Sequence, residues 1–356
     1  MDHFNILKRA WQILLGCKPL WFFGFLLALT TSSSGWTLML SGWDERYGSS
    51  SFSFALPDGT IVKIPGENQL HWEGGIPDEV VQWLITAGIT LLCVVVVLVV
   101  IGLVVRYISE TALIRMVNGY EQTDETCKVS QGFKLGFSRY AVFFFLIDLV
   151  IIGSAVLIFI LLFGVSIAPF FLWMTEIPVL GVIGTVAGIG LLFLIIFLAI
   201  IAGAALNLLR DFIKRACALE NLGIFTSIGR GYSLVKQHLR DVGLMWLLML
   251  GIRLGWPIVI LPVALLLIGI AVLVAGGAGL LVSWLAGLVL AGNLPIILAG
   301  VFATAVFLLL VGIPLTFLTG LRDTYVSSTW TLTYRDVVAL ESMENHRLPE
   351  MDQQGV

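Results

Sequence analysis

The sequence predicts an all-α polytopic transmembrane helical bundle of six spans, arranged as three repeated helical hairpins. Cytoplasmic amphipathic helices and a small extracytoplasmic β-hairpin complete the predicted fold. Three observations lead to it: long uncharged stretches, clustered basic residues and a motif that occurs three times. Hydrophobic residues make up 58% of the chain and charged residues 12%. A soluble domain carries about 25% charged residues, so the composition excludes an ordinary soluble protein.

The uncharged stretches are long enough to cross a bilayer as helices. A spanning helix needs about 20 apolar residues, and in lipid each backbone N–H and C=O must be bonded within its own segment. The uncharged stretches are 19–43, 83–105, 149–175, 177–209 and 254–321, and the last also lacks histidine. The predicted spans are 19–40, 81–105, 141–168, 179–206, 242–273 and 293–321.

The segment 276–291 does not fit this scheme as a full crossing. As a helix its length would be roughly 24 Å, which is shorter than the hydrocarbon core of roughly 30 Å. We therefore expect a re-entrant or interfacial piece rather than a seventh span.

The distribution of basic residues predicts the orientation in the membrane. Lysine and arginine concentrate on the cytoplasmic side of membrane proteins, which places both termini in the cytoplasm with six crossings. The segments 106–140 and 207–241 become cytoplasmic loops, and 322–356 becomes a cytoplasmic tail that follows a single transmembrane domain, 1–321. Four clusters hold 17 of the 20 basic residues: 8–18, 106–139, 210–240 and 322–347.

The two ends of the first predicted hairpin carry distinct patterns. Residues 1–17 form an amphipathic pattern that suits a helix at headgroup level. A cleaved signal peptide is the alternative, but its cleavage pattern is weak, so a retained first helix is expected. In the acidic external loop, 41–79, alternating residues flank Pro57-Asp58-Gly59, a typical hairpin signal.

A short motif of small residue, aromatic residue, any residue and aliphatic residue precedes each odd-numbered span. It occurs at Ala10–Ile13, Gly132–Leu135 and Gly231–Leu234. The even-numbered spans also share an exit pattern, which predicts helical extensions that end at Gly119 and Gly223 as C′ glycines. The predicted unit is therefore an interfacial helix, an outward span, a return span and a helical exit.

These motifs carry a resemblance to a known group. The run LWFFGFLLAL, the segment RGYSLVKQHLRDVGLMW and the closing SSTWTLTYRDV resemble uncharacterised bacterial six-helix membrane proteins. That group is similar to the membrane domain of some glycerophosphodiester phosphodiesterases. The resemblance implies a membrane-embedded helical domain, while the catalytic barrel of those enzymes has no counterpart in this chain. It implies no active-site residue.

Two charged residues within predicted spans form the candidate site. Asp148 lies in the third span and Arg253 in the fifth, and charged residues inside a membrane are functional candidates. Superposed repeats would place Arg253 about 9 Å deeper than Asp148, a gap that an arginine side chain can largely cover. We therefore expect an intramembrane pair or a shared polar cavity. Separate snorkelling to the interfaces is the alternative.

Cysteine and glycine patterns predict packing rather than chemistry. None of the four cysteines lies in the external loop, so no disulfide framework is expected. We expect the cysteines to be buried as free thiols. Gly184-x-x-x-Gly188 and Gly251-x-x-x-Gly255 predict close helix approach, within one chain or between subunits.

The sequence therefore predicts an integral protein of the cytoplasmic membrane without catalytic chemistry, a scaffold or accessory subunit. No catalytic, cofactor or metal motif occurs, so no enzyme, cofactor or metal site is expected. Expected partners are membrane lipids, with anionic headgroups at the cytoplasmic loops, and a partner protein or a second copy of the chain. No nucleic acid is expected. The alternative is a carrier or channel for a small or amphiphilic solute that uses Asp148 and Arg253.

Overall fold

The computed structural model describes residues 1–31, 52–55, 61–64, 78–123, 127–175, 177–288, 292 and 294–354. The chain divides into two compact units. The first comprises Met1–Leu29 and Arg106–Val356, and the second comprises Thr30–Val105.

Helices dominate the described residues, as the sequence predicts. The helices and strands in chain order are α1 (His3–Gly16), α2 (Pro19–Thr31), β1 (Phe52–Ala55), β2 (Ile61–Ile64), α3 (Asp78–Thr123), α4 (Val129–Gly136), α5 (Arg139–Ile167), a 3₁₀ helix (Ala168–Thr175), α6 (Pro178–Leu219), α7 (Ile224–Gln237), α8 (Leu239–Gly287) and α9 (Leu294–Gln354).

Several helices are long and apolar enough to cross a membrane. Five qualify by themselves: Ile85–Gln122, Arg139–Leu172, Pro178–Leu219, Leu239–Gly287 and Leu294–Met343. Helices α1 and α2 would add a sixth if the pair forms one span, although they meet at an angle of 99°. The helical class with several long apolar helices is therefore confirmed, and these helices are compatible with a multi-pass membrane protein. The count of six stays a prediction, because residues 32–40 of the first predicted span lie outside the described residues.

The acidic loop contains a two-stranded antiparallel sheet. Phe52 pairs with Ile64 and Ala55 pairs with Ile61. The proposed turn at 57–59 lies outside the described residues.

Helices continue through much of the two segments that were expected to be cytoplasmic loops. Helix α3 passes Gly119 and ends at Thr123, so the predicted stop at Gly119 is wrong. Helix α6 ends at Leu219, and Asn221 adopts the left-handed conformation (φ 56°) that Gly223 was expected to supply. Asparagine tolerates this conformation at the C′ position of a helix.

Helix α8 corrects the expectation for 276–291. It is continuous from Leu239 to Gly287, so the first twelve residues of that segment extend α8 rather than form a re-entrant piece. Helix α9 returns beside α8, and a Cβ on Gly279 would lie 2.9 Å from Ala303 Cβ. The segment is too short to cross as a separate helix, but it does not form one, because α8 begins at Leu239 and runs through it to Gly287.

The core of the first unit lies where α3, α6 and α9 continue beyond their apolar stretches. We call this region the base: α1, α4, α7, the ends of α3 and α6, the starts of α5 and α8 and residues 322–343 of α9. The rings of Phe212 and Trp330 meet edge to face at 6.0 Å. Leu113, Phe212 and Trp330 are all almost fully buried there. The predicted tail 322–356 therefore continues α9, and its first part belongs to the core.

Helix α9 also buries a row of hydroxyl groups in the base. Thr324, Ser328 and Thr333 have no exposed surface, and each donates to the carbonyl four residues earlier, at 2.8–2.9 Å. Such bonds satisfy a buried hydroxyl within its own helix, and Thr324 also lies within hydrogen-bond distance of the Leu20 carbonyl on α2, at 3.3 Å. Backbone carbonyl groups therefore satisfy these hydroxyls.

Cysteine pairing departs from the prediction. Cys17, in the turn between α1 and α2, forms a disulfide with Cys127, just before α4. Cys217 is buried and free, as expected, whereas the free Cys93 is exposed. The sequence predicts no disulfide because no cysteine lies in the external loop. The disulfide instead joins two helix junctions that are 110 residues apart in sequence and close together in the fold.

Candidate functional site

The central feature of the base is a buried ionic network on three helices. Lys214 on α6 places Nζ 2.8 Å from both carboxylate oxygens of Glu110 on α3. The same Nζ lies 3.0 Å from Asp148 Oδ2 on α5. The side chains of Lys214 and Asp148 are 1% and 3% exposed. One ammonium group thus joins three helices.

Two further groups complete the surroundings of Asp148. Tyr107 donates its hydroxyl to Asp148 Oδ2 at 3.2 Å, and Arg210 Nε lies 3.6 Å from Asp148 Oδ1. Because 3.6 Å is too long for a hydrogen bond, the buried Oδ1 has no hydrogen-bond partner among the described residues. Arg210 and Lys214 balance the charges of Asp148 and Glu110.

The network joins the helices, although burying its charges costs free energy. Taking ions out of water costs several kcal/mol for each ion, which attraction offsets only when all partners are present. Removing one partner of such a pair costs about 3–5 kcal/mol. The network is therefore a fixed junction of α3, α5 and α6.

The structure does not bring the two predicted site residues together. Asp148 makes its ion pairs with Lys214 and Arg210, while Arg253 is exposed and has Asp323 as an electrostatic neighbour. The physical reason is that Lys214 extends from an adjacent helix at the level of Asp148. Asp148 belongs to the ionic network of the base, so the Asp148–Arg253 pair is not formed.

Sequence reasoning missed Tyr107, Glu110 and Lys214 because they follow the apolar stretches and were assigned to loops. Their helical spacing was a usable signal. Tyr107 and Glu110 are three residues apart, and Arg210 and Lys214 are four apart, so each pair shares a helix face. A helical exit with two polar groups on one face favours an ionic contact.

A second network ties α7 to α6 and α9. The Arg230 guanidinium donates to both Glu341 oxygens at 2.7 and 2.6 Å, and Arg230 Nε lies 3.2 Å from Glu220 Oε2. Tyr334 donates its hydroxyl to Glu220 Oε1 at 2.5 Å. The hydrogen bond with Glu341 raises the pKa of Arg230 above its ordinary value, so the guanidinium group stays protonated.

A polar cavity of about 340 Å³ lies in the base between the ends of α3 and α6 and helix α4. Its lining residues are Arg115, Asn118, Gly119, Gln122, Leu135, Ala218, Leu219 and Asn221. Among the residues that the structure describes, no group of three or more His, Cys, Asp and Glu side chains is arranged to hold a metal ion.

Comparison with known proteins identifies one family. No curated protein and no solved structure matches the chain. The resemblance to the membrane domain of glycerophosphodiester phosphodiesterases therefore stays a prediction. Residues 21–324, most of the chain, match the model of a family described as a family of unknown function (DUF7544), and the protein belongs to that family.

Proposed function

We propose that this protein is a non-catalytic scaffold or accessory subunit of the bacterial cytoplasmic membrane, acting through lipid and protein contacts. One observation carries the proposal: the contrast between a tightly joined base and largely uncovered spans. In the four candidate spans from Arg139 onward, between 6 and 17% of the most apolar window is buried.

Uncovered apolar faces are compatible with a bilayer. Lipid tails are as apolar as leucine, so helices in a membrane associate through close packing and polar contacts rather than through the hydrophobic effect. Leu254 and Ile258 on α8 are 66% and 73% exposed. Such faces offer surface to lipid or to the helices of another protein.

The base supports the same proposal because two of its cations each join two carboxylates. Lys214 contacts two carboxylates, and Arg230 contacts two more. A rigid platform of this kind can hold the apolar hairpins in fixed positions. The resemblance to a membrane domain that accompanies an enzyme is compatible with an accessory role.

We place the base on the cytoplasmic side because it carries the basic clusters. The N-terminal helix and the second half of α9 both belong to it. Arg9 on α1 forms an ion pair with Glu121 on α3, and Tyr325 on α9 donates its hydroxyl to the Leu7 carbonyl at 3.4 Å. An even number of crossings would bring both segments to this side.

Site-specific photocrosslinking in native membranes tests the scaffold proposal. A photoreactive residue at Ile258 is expected to give a discrete protein adduct, identified by mass spectrometry. The same residue at Met249, which is 1% exposed, serves as the matched control and should give none. Lipid adducts alone at Ile258, Leu254 and further exposed positions on α5, α6 and α9 would contradict a scaffold that acts through proteins.

A carrier is the second candidate, and Asp148 Oδ1, which accepts no hydrogen bond from the described residues, favours it. An unsatisfied buried acceptor is costly, and a proton or solute donor could complete it. Purified protein in liposomes should then support a saturable flux that Asp148→Asn abolishes. For a scaffold, we expect liposomes that contain the protein to have the same permeability as protein-free liposomes. A flux that depends on Asp148 would contradict the scaffold proposal and support a carrier.

A further inference from the structure

We propose that the cavity in the base binds a phosphate-bearing anion. The proposal goes beyond the scaffold function and does not depend on it. The cavity volume of about 340 Å³ lies at the lower end of the range of small-molecule sites, about 300–1,000 Å³. A phosphate group with a small substituent fits this scale.

The hydrogen-bond pattern fixes the orientation of Asn221. Arg139 Nη2 donates to the Tyr140 hydroxyl at 3.2 Å. Tyr140 therefore accepts from Arg139 and directs its own proton to Asn221 Oδ1, at 2.6 Å. Because an asparagine amide has one oxygen and one NH₂ group, the Asn221 NH₂ stays available as a donor at the cavity.

Asn118 is oriented by the same logic. Arg335 Nη1 lies 3.4 Å from Asn118 Oδ1, and a guanidinium group can only donate. The Asn118 oxygen therefore accepts from Arg335, and its NH₂ group is left as a second donor. Two asparagines at one cavity thus have their acceptors engaged, and no described residue accepts from the NH₂ group of either.

Arg115 is the charged residue among those that line the cavity, with Cζ 5.0 Å from the centre of the Tyr140 ring. Arg139 lies behind the lining, with Cζ 5.3 Å from the same ring. Among the described residues, neither Arg115, Arg139 nor Arg335 has a carboxylate within ion-pair distance. These guanidinium groups therefore concentrate positive charge beside the free amide donors.

Two helix ends oppose this effect but do not cancel it. Helices α3 and α6 both end near the cavity, and a helix C-terminus carries about half a negative charge. Two such ends amount to about one negative charge. The carboxylates of Glu121 and Glu220, next in sequence to lining residues, are paired with Arg9 and Arg230, so Arg115, Arg139 and Arg335 remain as the opposing positive groups. Arginine also matches phosphate geometry through paired N–H donors. An anion with several acceptor oxygens, such as phosphate, satisfies this lining best.

The phosphate group could come from a soluble phosphate ester or from the headgroup of an anionic lipid. Both present the same oxygens to Arg115 and the two amides. The first source predicts binding from solution in a membrane of zwitterionic lipid. The second predicts co-purification of an anionic phospholipid instead.

Calorimetric titration of the full-length protein in zwitterionic nanodiscs tests the first source, with inorganic phosphate and glucose 6-phosphate as probes. Native mass spectrometry of protein from nanodiscs containing phosphatidylglycerol tests the second. Arg115→Gln and Asn118→Asp are expected to weaken binding at least tenfold. Arg240→Gln removes an exposed arginine at the start of α8 and should leave binding unchanged.

A further variant separates loss of the site from loss of the fold. Gln122 lines the cavity and is exposed, so Gln122→Glu adds negative charge with little risk to packing and is expected to weaken binding several-fold. Arg115-dependent binding of either probe, or of the lipid, supports the site and names its source. Binding of neither, or equal losses in Arg240→Gln, would overturn the proposal and leave the scaffold function untouched.

Discussion

Lys214 on α6 and Asp148 on α5 form an ion pair in the base, with 3.0 Å between Nζ and Oδ2. Asp148 lies nine residues beyond Arg139, where α5 begins, so the sequence alone places it inside a span. Lys214 lies at the charged end of its own helix. The pair aligns the start of one helix with the end of the next and assigns Asp148 to the base.

This pair predicts a coupling between two substitutions. Lys214→Met leaves the buried Asp148 and the partly buried Glu110 without their shared cation, so we expect the free energy of unfolding to fall by about 3–5 kcal/mol. Asp148→Asn leaves Lys214 bonded to Glu110 and should cost less. The double variant is expected to lose less than the sum of the singles, measured as apparent melting temperatures in one detergent.

Arg253 provides the control for this cycle. Since Arg253 is exposed and Asp148 is paired elsewhere, Arg253→Met and Asp148→Asn should be additive. Stronger coupling of Asp148 to Arg253 than to Lys214 would restore the intramembrane pair and contradict the network.

The sequence predicts the class of this fold because its main signal is local. A run such as 83–105 must become a helix in lipid whatever its neighbours are. Which helices meet is a long-range property. Glu110 and Lys214 are 104 residues apart, and no local period connects them. Asp148 was therefore recognised as unusual, but its partner was not.

Glycine contacts show the same limit. The motif Gly184-x-x-x-Gly188 does serve close packing within the chain, since a Cβ on Gly188 would lie 2.6 Å from the Phe170 ring. Cβ atoms on Gly251 and Gly255 would meet nothing within 4 Å among the described residues. A role between subunits for that motif stays a prediction, and the motif alone did not separate the two cases.

The closest approach of α2 and α9 predicts a strong effect of one methyl group. A Cβ on Gly320 would lie 2.7 Å from the backbone nitrogen of Phe25. Backbone atoms cannot move aside as a side chain does, so Gly320→Ala should cost about 1–3 kcal/mol. The measurement is the fraction of folded protein that survives heating, determined by size-exclusion chromatography.

Gly255→Ala is the matched control for Gly320→Ala, since it adds the same methyl group where space is open. It should change stability by no more than about 1 kcal/mol. Equal losses in the two variants would show that helix α9 does not approach α2 as closely as the structure has it.

The Arg230 network predicts a salt-dependent effect. Arg230→Lys keeps the charge but replaces the paired N–H donors by one ammonium group. Arg230 and Glu341 are 29% and 17% exposed, so water screens the pair and the expected loss is about 1 kcal/mol. The difference in melting temperature from the wild type should shrink at high salt, because ions screen exposed charges.

Arg240→Lys makes the same exchange at an exposed arginine and should leave the melting temperature unchanged at any salt concentration. If Arg230→Lys behaves like Arg240→Lys, helix α7 is held to α9 by its apolar contacts alone.

The disulfide between Cys17 and Cys127 gives a prediction on both stability and orientation. The Cα atoms lie 5.6 Å apart and the bond closes 110 residues of sequence, so Cys17→Ser should cost about 2–4 kcal/mol. A reductant should lower the melting temperature of the wild type but not of Cys17→Ser, while Cys93→Ser, at a free exposed thiol, should respond like the wild type.

The same disulfide tests the orientation, because disulfides persist in oxidising compartments and are rare in the cytosol. If the base is cytoplasmic, thiol alkylation in intact cells followed by mass spectrometry should find Cys17 and Cys127 reduced. The bond should then form on purification in air. A stable Cys17–Cys127 bond in growing cells would instead place the base on the oxidising side of the membrane and reverse the orientation that the basic clusters predict.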